Sequence, residues 1–232
     1  MSESLIEIKK VSKIYRTRDG AMIQALDSID LTINRGDFVA IVGRSGSGKT
    51  TTLNLIGALD RPSSGEVLFE GKDISKFSSN ELALIRREKI GFIFQDFNLL
   101  PSLTVLENVE VALAPTDLPV EDQKKKAVDM LGQFNLSDKL NSLSDELSLG
   151  QQQRVAIARA LINGPSLILA DEPTGEVDPT TGKDIVQTLV ELNQKYKVTL
   201  VVVTHGNFPY DIADRVVFMK DGKIVTREEA GY

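Results

Sequence analysis

The stretch that most constrains this chain is GRSGSGKT at residues 43–50, which lies between the apolar run DFVAIVG and a helical pattern from Gly48 to Leu59. It matches G-x-x-x-x-G-K-[ST] in full. Glycines let the backbone curl until several N–H groups face one phosphate, Lys49 adds charge there, and the Thr50 hydroxyl can ligate Mg²⁺. A chance glycine-rich turn would not need a strand before it and a helix after it. We therefore predict a phosphate-binding loop consisting of Gly43, Arg44, Ser45, Gly46, Ser47, Gly48, Lys49, Thr50 and Thr51.

Polar residues follow three other apolar, strand-like runs. Asp171 and Glu172 are the last two residues of SLILADE, Gln95 follows IGFIF, and His205 follows VVVT. Alone, an acidic pair after a strand is usually the start of a solvated loop, and a lone histidine is usually structural. Open α/β sheets, however, bind ligands at the carboxyl ends of their strands. Beside a phosphate loop, these positions indicate one common site.

Each of these side chains has a role in hydrolysing a nucleoside triphosphate. Asp171 would hold Mg²⁺, mostly through water, and Glu172 would orient or deprotonate the attacking water. Gln95 can reach Mg²⁺ or that water, and His205 can donate to the γ-phosphate or position the water. The constellation predicts a nucleoside triphosphatase. Its catalytic residues are Glu172, His205 and Gln95, and its metal ligands are Thr50, Gln95 and Asp171.

The apolar runs predict an α/β fold. Continuous apolar strands that alternate with helices are typical of a mainly parallel sheet covered on both faces. LIEIKKVSKIY and ALDSIDLTI are predicted strands joined by an Asp-Gly turn, and RVVFMKDGKIV is a predicted hairpin. From about Asn98 to Gly164 we predict helices only, as an insertion into the sheet domain. Further strands are expected at 37–43, 66–71, 90–95, 166–171 and 198–205, and helices at 79–89, 104–113, 121–134 and 180–197.

The stretch DELSLGQQQR at residues 145–154 contains a helix start. Ser148 is a good N-cap, and Gln151 three residues later completes a capping box before an apolar periodic run. The N–H groups of such a start bind anions, but the residues alone leave open which anion is bound and on which molecule. Tyr15 is weaker evidence, because an aromatic side chain on a strand can stack on a base or pack in the core.

Composition narrows the class of protein. The 232 residues suffice for one α/β domain or two small lobes, and a net charge of −6 without an evident basic face argues against nucleic-acid binding. The absence of cysteine excludes disulfides and thiolate metal sites. The N-terminal residues show no signal-peptide pattern, and no apolar run approaches the roughly 18 residues of a spanning helix. We expect a chain that is soluble by itself.

Along the chain the motifs follow in the order GRSGSGKT, Gln95, SLGQQQR, LILADE, VDP and His205. This order resembles that of the nucleotide-binding subunit of ABC transporters, and the resemblance covers essentially the whole chain. FQDFNLLPSLTVLENV and LADEPTG are similar to the branch that includes macrolide-exporter and lipoprotein-releasing ATPases. The resemblance implies one domain over 1–232 with a P-loop NTPase (RecA-like) core and an N-terminal antiparallel β subdomain. These would occupy about 1–97 and 165–232, and an inserted helical subdomain would occupy about 98–164.

The resemblance also implies a dimer in which two subunits enclose two ATP molecules head to tail. Ser148, Gly150 and Gln151 would then meet the γ-phosphate of the partner's nucleotide, Tyr15 would stack on adenine, and Asp178 would lie in a loop at the dimer interface. ATP and Mg²⁺ are the implied cofactors.

The implied partners are integral membrane permease subunits and a second ATPase subunit, identical or related; no nucleic acid is expected. Such a complex would hold the chain at the cytoplasmic face of the cell membrane and export or extract a peptide, a lipoprotein or a drug-like compound.

Three positions depart from the family pattern. Leu149 replaces the first glycine of the usual LSGGQ signature, Glu176-Val177 stands where a small residue and a leucine are common, and GNFP follows His205 in place of an acidic residue. None of them removes a catalytic group. Leu149, however, adds bulk where a phosphate must approach closely, so we expect it to weaken the composite site.

Three other functions fit parts of the sequence. A soluble P-loop kinase would leave SLGQQQR and the position of His205 without a use. A soluble ABC protein of DNA repair or chromosome organisation would carry heptad repeats or a cysteine-rich zinc insertion, and this chain has neither. An ABC ATPase that drives signalling or cell-envelope control through a membrane partner cannot be separated from an exporter by the sequence.

Overall fold

The computed structural model describes residues 3–175, 177–205 and 208–232. The departures noted at Glu176 and at Gly206-Asn207 lie outside these ranges. The strands are β1 Ser4–Arg16, β2 Met22–Asn34, β3 Phe38–Val42, β4 Ser64–Phe69, β5 Lys72–Asp73, β6 Ile90–Ile93, β7 Leu167–Asp171, β8 Thr199–Thr204, β9 Arg215–Lys220 and β10 Lys223–Val225. The helices are α1 Lys49–Ile56, α2 Ser79–Lys89, α3 Val105–Glu110, α4 Val120–Gln133, α5 Leu149–Leu161, α6 Pro179–Tyr196 and α7 Arg227–Ala230.

Parallel pairing organises the larger of the two sheets. Its strand order is β10-β9-β3-β8-β7-β6, and every pairing is parallel except that of β9 with β10. The smaller sheet, β2-β1-β4-β5, is antiparallel throughout. This confirms the predicted fold class, an α/β fold with a mainly parallel sheet and an N-terminal antiparallel part.

Both faces of the parallel sheet are buried. Leu167 and Leu169 of β7 pack in a cluster with side chains of β1, β2 and α1, whereas Ile168 and Ala170 pack in a second cluster with side chains of α3 to α6. Successive side chains of a strand point to opposite faces. A strand covered on both sides must therefore be apolar at every position, and each of these four residues is 0% exposed.

The chain between β6 and β7 carries α3, α4 and α5, where only helices were predicted. Val109, Leu131 and Ile157 from these helices share one buried cluster with the sheet, so the segment is packed directly on it. The segment also contains an isolated β-bridge between Thr104 and Leu143, which the sequence did not indicate. That residues of about 98–164 form a separate helical subdomain remains our prediction.

Several element boundaries differ from the predicted ones: α3 ends at Glu110 and β6 at Ile93, both earlier than predicted, and α1 and β4 also differ. Helix α1 ends at Ile56 instead of Leu59, because Ala58 has a left-handed backbone (φ 53°) that cannot continue a right-handed helix. Strand β4 starts at Ser64, two residues before the strand predicted at 66–71, because Ser64 pairs with Ser12 of β1. Over the part of the chain that the structure describes, no helix combines the length and the apolar character that crossing a bilayer requires.

The contact between β6 and α5 gives a test of the packing. A Cβ on Gly91 would lie 2.3 Å from the backbone oxygen of Ala160, which belongs to a helix that cannot yield locally. We expect Gly91→Ala to lower the free energy of unfolding by about 1–3 kcal/mol, the usual cost of overpacking. Urea denaturation followed by circular dichroism measures this.

The matched control for that experiment is Gly132→Ala in α4. A Cβ there meets only the Ser137 hydroxyl oxygen, at an ordinary 3.4 Å. Alanine should be neutral or stabilising at this position because it favours the helix. Equal losses of stability in the two variants would contradict the packing argument.

Candidate functional site

The curl of the loop at residues 43–48 depends on glycine at two positions. A Cβ on Gly43 would lie 2.4 Å from the Met219 carbonyl oxygen and 2.5 Å from the Ser47 hydroxyl oxygen. Gly48 has a φ of 100°, and a Cβ there would lie 2.8 Å from the Ala25 carbonyl oxygen. Larger residues would push the loop away from β9 and β2, so the loop's shape follows from the absence of side chains.

A desolvated cation lies within this loop. The Lys49 ammonium donates a hydrogen bond to the Arg44 carbonyl oxygen at 3.1 Å, and the residue is only 5% exposed. Burial lowers the pKa of Lys49, while the carboxylates of Glu172 and Asp171 act in the opposite direction. Gly48, the N-cap of α1, provides no side-chain cap, so the N–H groups of the first turn remain available to an anion.

The strand register brings the candidate residues to one edge of the sheet. Val42 of β3 pairs with Thr204 of β8, and Asp171 of β7 pairs with Val203, so Gly43 and His205 follow directly side by side. Ile93 of β6 pairs with Ala170, which places Gln95 level with Glu172. The Gly43 N–H donates to the Thr204 carbonyl oxygen at 3.2 Å and extends the pairing into the loop.

The two carboxylates at this edge have different environments. Burial raises the pKa of Asp171, the neighbouring Glu172 carboxylate raises it further, and Lys49 lowers it. The Glu172 carboxylate instead contacts Nδ1 of His205. Glu172 also has a left-handed backbone, with φ 44°, and its N–H donates to the Val203 carbonyl oxygen at 2.9 Å. The predicted general base and the predicted catalytic histidine are thus in contact.

Gly175 is a residue of this site that the sequence reasoning did not select. A Cβ there would lie 3.4 Å from the Cδ and Nε2 atoms of Gln95, so the amide of Gln95 packs directly against the loop that follows Glu172. The glycine of LADEPTG was the available signal, but nothing in the sequence shows that Gln95 fills the space beside it.

Arg159 of α5 is a second residue that was missed. Its guanidinium donates to the carbonyl oxygens of Phe97 and Asn98, each at 2.6 Å. Both of these residues have left-handed backbones, with φ of 59° and 46°, and burial lowers the pKa of Arg159. A half-buried cation therefore stabilises the left-handed turn that follows Gln95.

The helix start in DELSLGQQQR has the predicted geometry. The Ser148 hydroxyl accepts from the Gln151 N–H, and the Gln151 side chain accepts from the Ser148 N–H at 2.9 Å. Leu149 is 48% exposed, whereas a Cβ on Gly150 would meet only a Thr181 methyl group at 3.8 Å. The packing within the chain therefore gives no reason for glycine at position 150.

Asp178 lies beside this helix start. Its carboxylate caps α6 by accepting from the Thr180 and Thr181 N–H groups. A cleft of about 410 Å³ includes Ser148, Gly150 and Asp178 in its wall, and a cleft of about 270 Å³ is lined by residues of the phosphate loop, including Arg44 and Ser47. The two clefts share no lining residue, so the helix start and the phosphate loop form separate surfaces of one chain.

Tyr15 lies beside the phosphate loop, which its position in the sequence could not show. Its hydroxyl donates to an Asp60 carboxylate oxygen at 2.8 Å, and the Thr51 hydroxyl lies close enough to lower its pKa. Burial and the Asp60 hydrogen bond outweigh this and raise the pKa of Tyr15. The ring is 37% exposed and is therefore not a core residue.

Comparison with known proteins identifies the family. The profile of the ABC transporter family matches residues 26–175. The chain belongs to the ABC transporter family. Its fold and family together make it an ATPase cassette, with ATP as its nucleotide.

Two relatives of this ABC cassette differ in length. It is 46% identical over 229 residues to an uncharacterised ABC transporter ATP-binding protein of Methanocaldococcus jannaschii, with 97% of each chain covered. It is 45% identical over 229 residues to a macrolide export ATP-binding/permease protein of Wolinella succinogenes, with 99% of this chain but 35% of that protein covered. The chain thus spans about a third of the length of its macrolide-export relatives.

Among solved structures, a dimeric ATP-binding cassette in a post-hydrolysis state with bound ADP and Pi superposes with a TM-score of 0.85. It is 44% identical, and the match covers 95% of this chain and 97% of that one.

The raised pKa of Asp171 leads to a prediction about stability. Folding disfavours the charged form of Asp171, so the pKa of this carboxyl is higher in the folded chain than in the unfolded one. The stability of the folded chain therefore falls as the pH rises from below the ordinary carboxyl pKa through the raised pKa. Asp171→Asn removes that penalty. The nucleotide-free variant should melt at a higher temperature than the parent at neutral pH, and the difference should vanish in acid, where Asp171 is protonated in both states. Differential scanning fluorimetry at the two pH values measures this.

Asp184→Asn on α6 is the control, because this residue is exposed. Its melting temperature should stay that of the parent at neutral pH. A melting temperature of Asp171→Asn below that of the parent at neutral pH would show that the buried carboxylate is stabilising and that the argument is wrong.

Proposed function

We propose that two ABC cassettes, either two copies of this chain or this chain and a related one, enclose two ATP molecules head to tail and hydrolyse them to drive a membrane permease. The observation that carries the proposal is the presence of two separate clefts on one chain, one at the phosphate loop and one at the Ser148 helix start. A two-fold axis places each half-site of one subunit against the other half-site of its partner. The dimeric cassette among the similar structures supports this arrangement.

Within one half-site, the residues at 43–51 would hold the triphosphate, with the Lys49 charge on the β- and γ-phosphate oxygens. Glu172 would accept a proton from the water that attacks the γ-phosphorus. The bond to the β–γ bridging oxygen then breaks, and ADP leaves with the electron pair. His205, in contact with Glu172 through Nδ1, would keep that carboxylate oriented and donate to the γ-phosphate.

The residues at this edge fit Mg²⁺. Thr50, Gln95 and Asp171 offer oxygen atoms, which are the donors Mg²⁺ prefers, and the described part of the chain holds no cluster of three acidic, histidine or cysteine residues able to bind a metal alone. Such an ion is completed by water and substrate phosphates. When bound, it supplies positive charge that neutralises the phosphate oxygens during transfer.

The second half-site would contact the γ-phosphate of the partner's nucleotide. Ser148, Gly150 and Gln151 begin α5, where N–H groups and the helix dipole favour an anion. A Cβ on Gly150 would make only one ordinary contact, with a Thr181 methyl group at 3.8 Å, and this supports an approach from outside the chain. Asp178, exposed at the start of α6, would lie in the same interface.

The permease is proposed from the longer relatives. The macrolide export protein of Wolinella succinogenes, which is named both ATP-binding and permease, matches this chain over about a third of that protein's own length. We infer that this cassette binds a permease at the cytoplasmic face of the membrane, on a separate chain or on the same one, and that the complex exports or extracts a peptide, a lipoprotein or a drug-like compound. Co-expression of this cassette with its own permease should move the cassette from the soluble to the membrane fraction.

Removing the proposed base tests the catalytic assignment. Glu172→Gln keeps the shape of the side chain but cannot accept a proton, so ATP should bind while hydrolysis falls by at least about 100-fold. The variant should accumulate as a dimer in size-exclusion chromatography with MgATP. Turnover at the parental rate would exclude Glu172 as the base.

Two variants control this experiment. Lys49→Ala loses the phosphate contact, so neither binding nor dimer should be observed. Glu121→Gln changes an exposed carboxylate on α4 and should hydrolyse ATP like the parent.

The unusual leucine of the signature gives a further prediction. Leu149 is the first residue of α5, and 48% of its surface is exposed. The partner's γ-phosphate would approach at this place. We propose that Leu149 lengthens one N–H contact to that phosphate. Because hydrogen bonds to charged groups contribute about 1.5–3 kcal/mol, Leu149→Gly should lower the dimer dissociation constant by about 10-fold or more.

Sedimentation of the Glu172→Gln background with saturating MgATP measures this constant. The control is Leu84→Gly, a leucine of α2 with a similar exposure of 45%, which should leave dimerisation unchanged. Equal dissociation constants with leucine and glycine at position 149 would mean that the substitution is neutral.

A further inference from the structure

A three-residue cluster immobilises the ring of Tyr15. The Tyr15 hydroxyl donates to Asp60 Oδ2 at 2.8 Å, and the Lys13 ammonium donates to Asp60 Oδ1 at 2.6 Å and to the Arg61 carbonyl oxygen at 2.8 Å. The same ammonium lies 4.8 Å from the centroid of the Tyr15 ring. The ring is therefore fixed at its hydroxyl end by a carboxylate and on one face by a cation.

The charges of this cluster balance each other. Burial would raise the pKa of Asp60, but the hydrogen bonds from Lys13, from the Arg61 N–H and from Tyr15 outweigh it and keep that pKa below its usual value. Only 12% of the Lys13 side chain is exposed, so its ammonium cannot move freely to other partners. The cluster is thus a charged unit at the surface, in which Lys13 is the least exposed member.

The cluster also fixes Tyr15 relative to the phosphate loop. Asp60 belongs to the short segment after α1, and the N–H groups of Leu59 and Asp60 donate to the Asn54 carbonyl oxygen inside that helix at 2.9 and 3.3 Å. Helix α1 begins directly at the phosphate loop. An unbroken chain of hydrogen bonds and helix backbone therefore joins the ring on β1 to the place where a triphosphate would lie.

We propose that Asp60 and Lys13 are positioning residues that hold Tyr15 as a one-sided stacking platform for the base of the bound nucleotide. This rests on the proposed function, together with the contact between Tyr15 and the base that the family resemblance implies. A flexible aromatic side chain loses conformational entropy when a ligand immobilises it, and a ring that is already fixed avoids that loss. Because the hydroxyl is committed to Asp60, Tyr15 recognises a base through its ring face alone, which is tolerant of base identity.

Tyr15→Phe tests this directly, because it keeps the ring and removes only the atom that Asp60 holds. Calorimetry with ATP, GTP and inorganic tripolyphosphate, without Mg²⁺ so that hydrolysis does not occur, should show ATP and GTP binding weakened equally, by about 3- to 10-fold. Tripolyphosphate has no base, so its affinity should remain that of the parent.

Three results would overturn the proposal. Parental ATP affinity in Tyr15→Phe would show that the hydroxyl anchor is irrelevant. An equal loss for tripolyphosphate would show that the cluster only maintains the fold. A loss for ATP without a loss for GTP would show that the hydroxyl reads the edge of the base.

Tyr196→Phe is a matched control. The Tyr196 hydroxyl donates to the Gln133 side chain, and the Lys195 ammonium lies 4.9 Å from its ring centroid, yet the residue lies at the far end of α6. The Tyr196→Phe variant loses a tyrosine hydroxyl from a similar environment, so it should bind ATP, GTP and tripolyphosphate like the parent.

A double-mutant cycle separates positioning from general damage. Asp60→Ala should weaken ATP binding about as much as Tyr15→Phe, and the double variant should bind no more weakly than either single one, since both break the same contact. Additive losses would contradict the proposal. Tyr15→Ala tests the proposed function itself: parental ATP affinity there would mean that Tyr15 does not contact the base, whereas a loss in Tyr15→Ala with none in Tyr15→Phe would refute only the anchoring.

Discussion

Parallel pairing of β3, β8, β7 and β6 is the constraint on which the rest of this structure depends. Parallel strands end at the same edge, so the loops that follow them must share one small volume. That edge receives the phosphate loop, His205, the Asp171–Glu172 pair and Gln95 from four separate places in the sequence. Strands β3, β8 and β7 can lie inside the sheet because they are apolar at nearly every position and packed from both sides.

The same edge concentrates charge that the fold does not fully neutralise. Lys49 and Asp171 both have their pKa values shifted against their charged forms by burial, even though each partly offsets the penalty of the other. Such desolvated groups cost stability in the free chain and interact strongly with a charged ligand, because little water screens them. In the proposed function, a bound triphosphate would supply further negative charge around Lys49. The weakness of the free site would then be a consequence of the arrangement proposed to recognise phosphate.

The parts that the sequence could predict are those in which a local pattern determines the structure. Continuous apolar runs located β3, β7 and β8, and the Ser148 capping box located the start of α5. The parts it could not predict join residues far apart in the chain through shapes that have no local signal. The irregular stretch of β1 around Lys10, whose φ is 47°, is one example: its carbonyl oxygen lies so close to Gly65 that no Cβ fits there.

Helix α5 shows why such distant contacts matter for the site. Ser148 and Gly150 begin it at the surface, and Arg159, at its other end, holds the turn after Gln95 through two hydrogen bonds. At about 1.5 Å per residue, these ends are roughly 15 Å apart on one rigid rod. The left-handed backbone is unfavourable for Phe97, whereas asparagine adopts it readily. A movement of α5 against β6 must therefore either carry the Gln95 loop with it or break both bonds to the half-buried Arg159 cation.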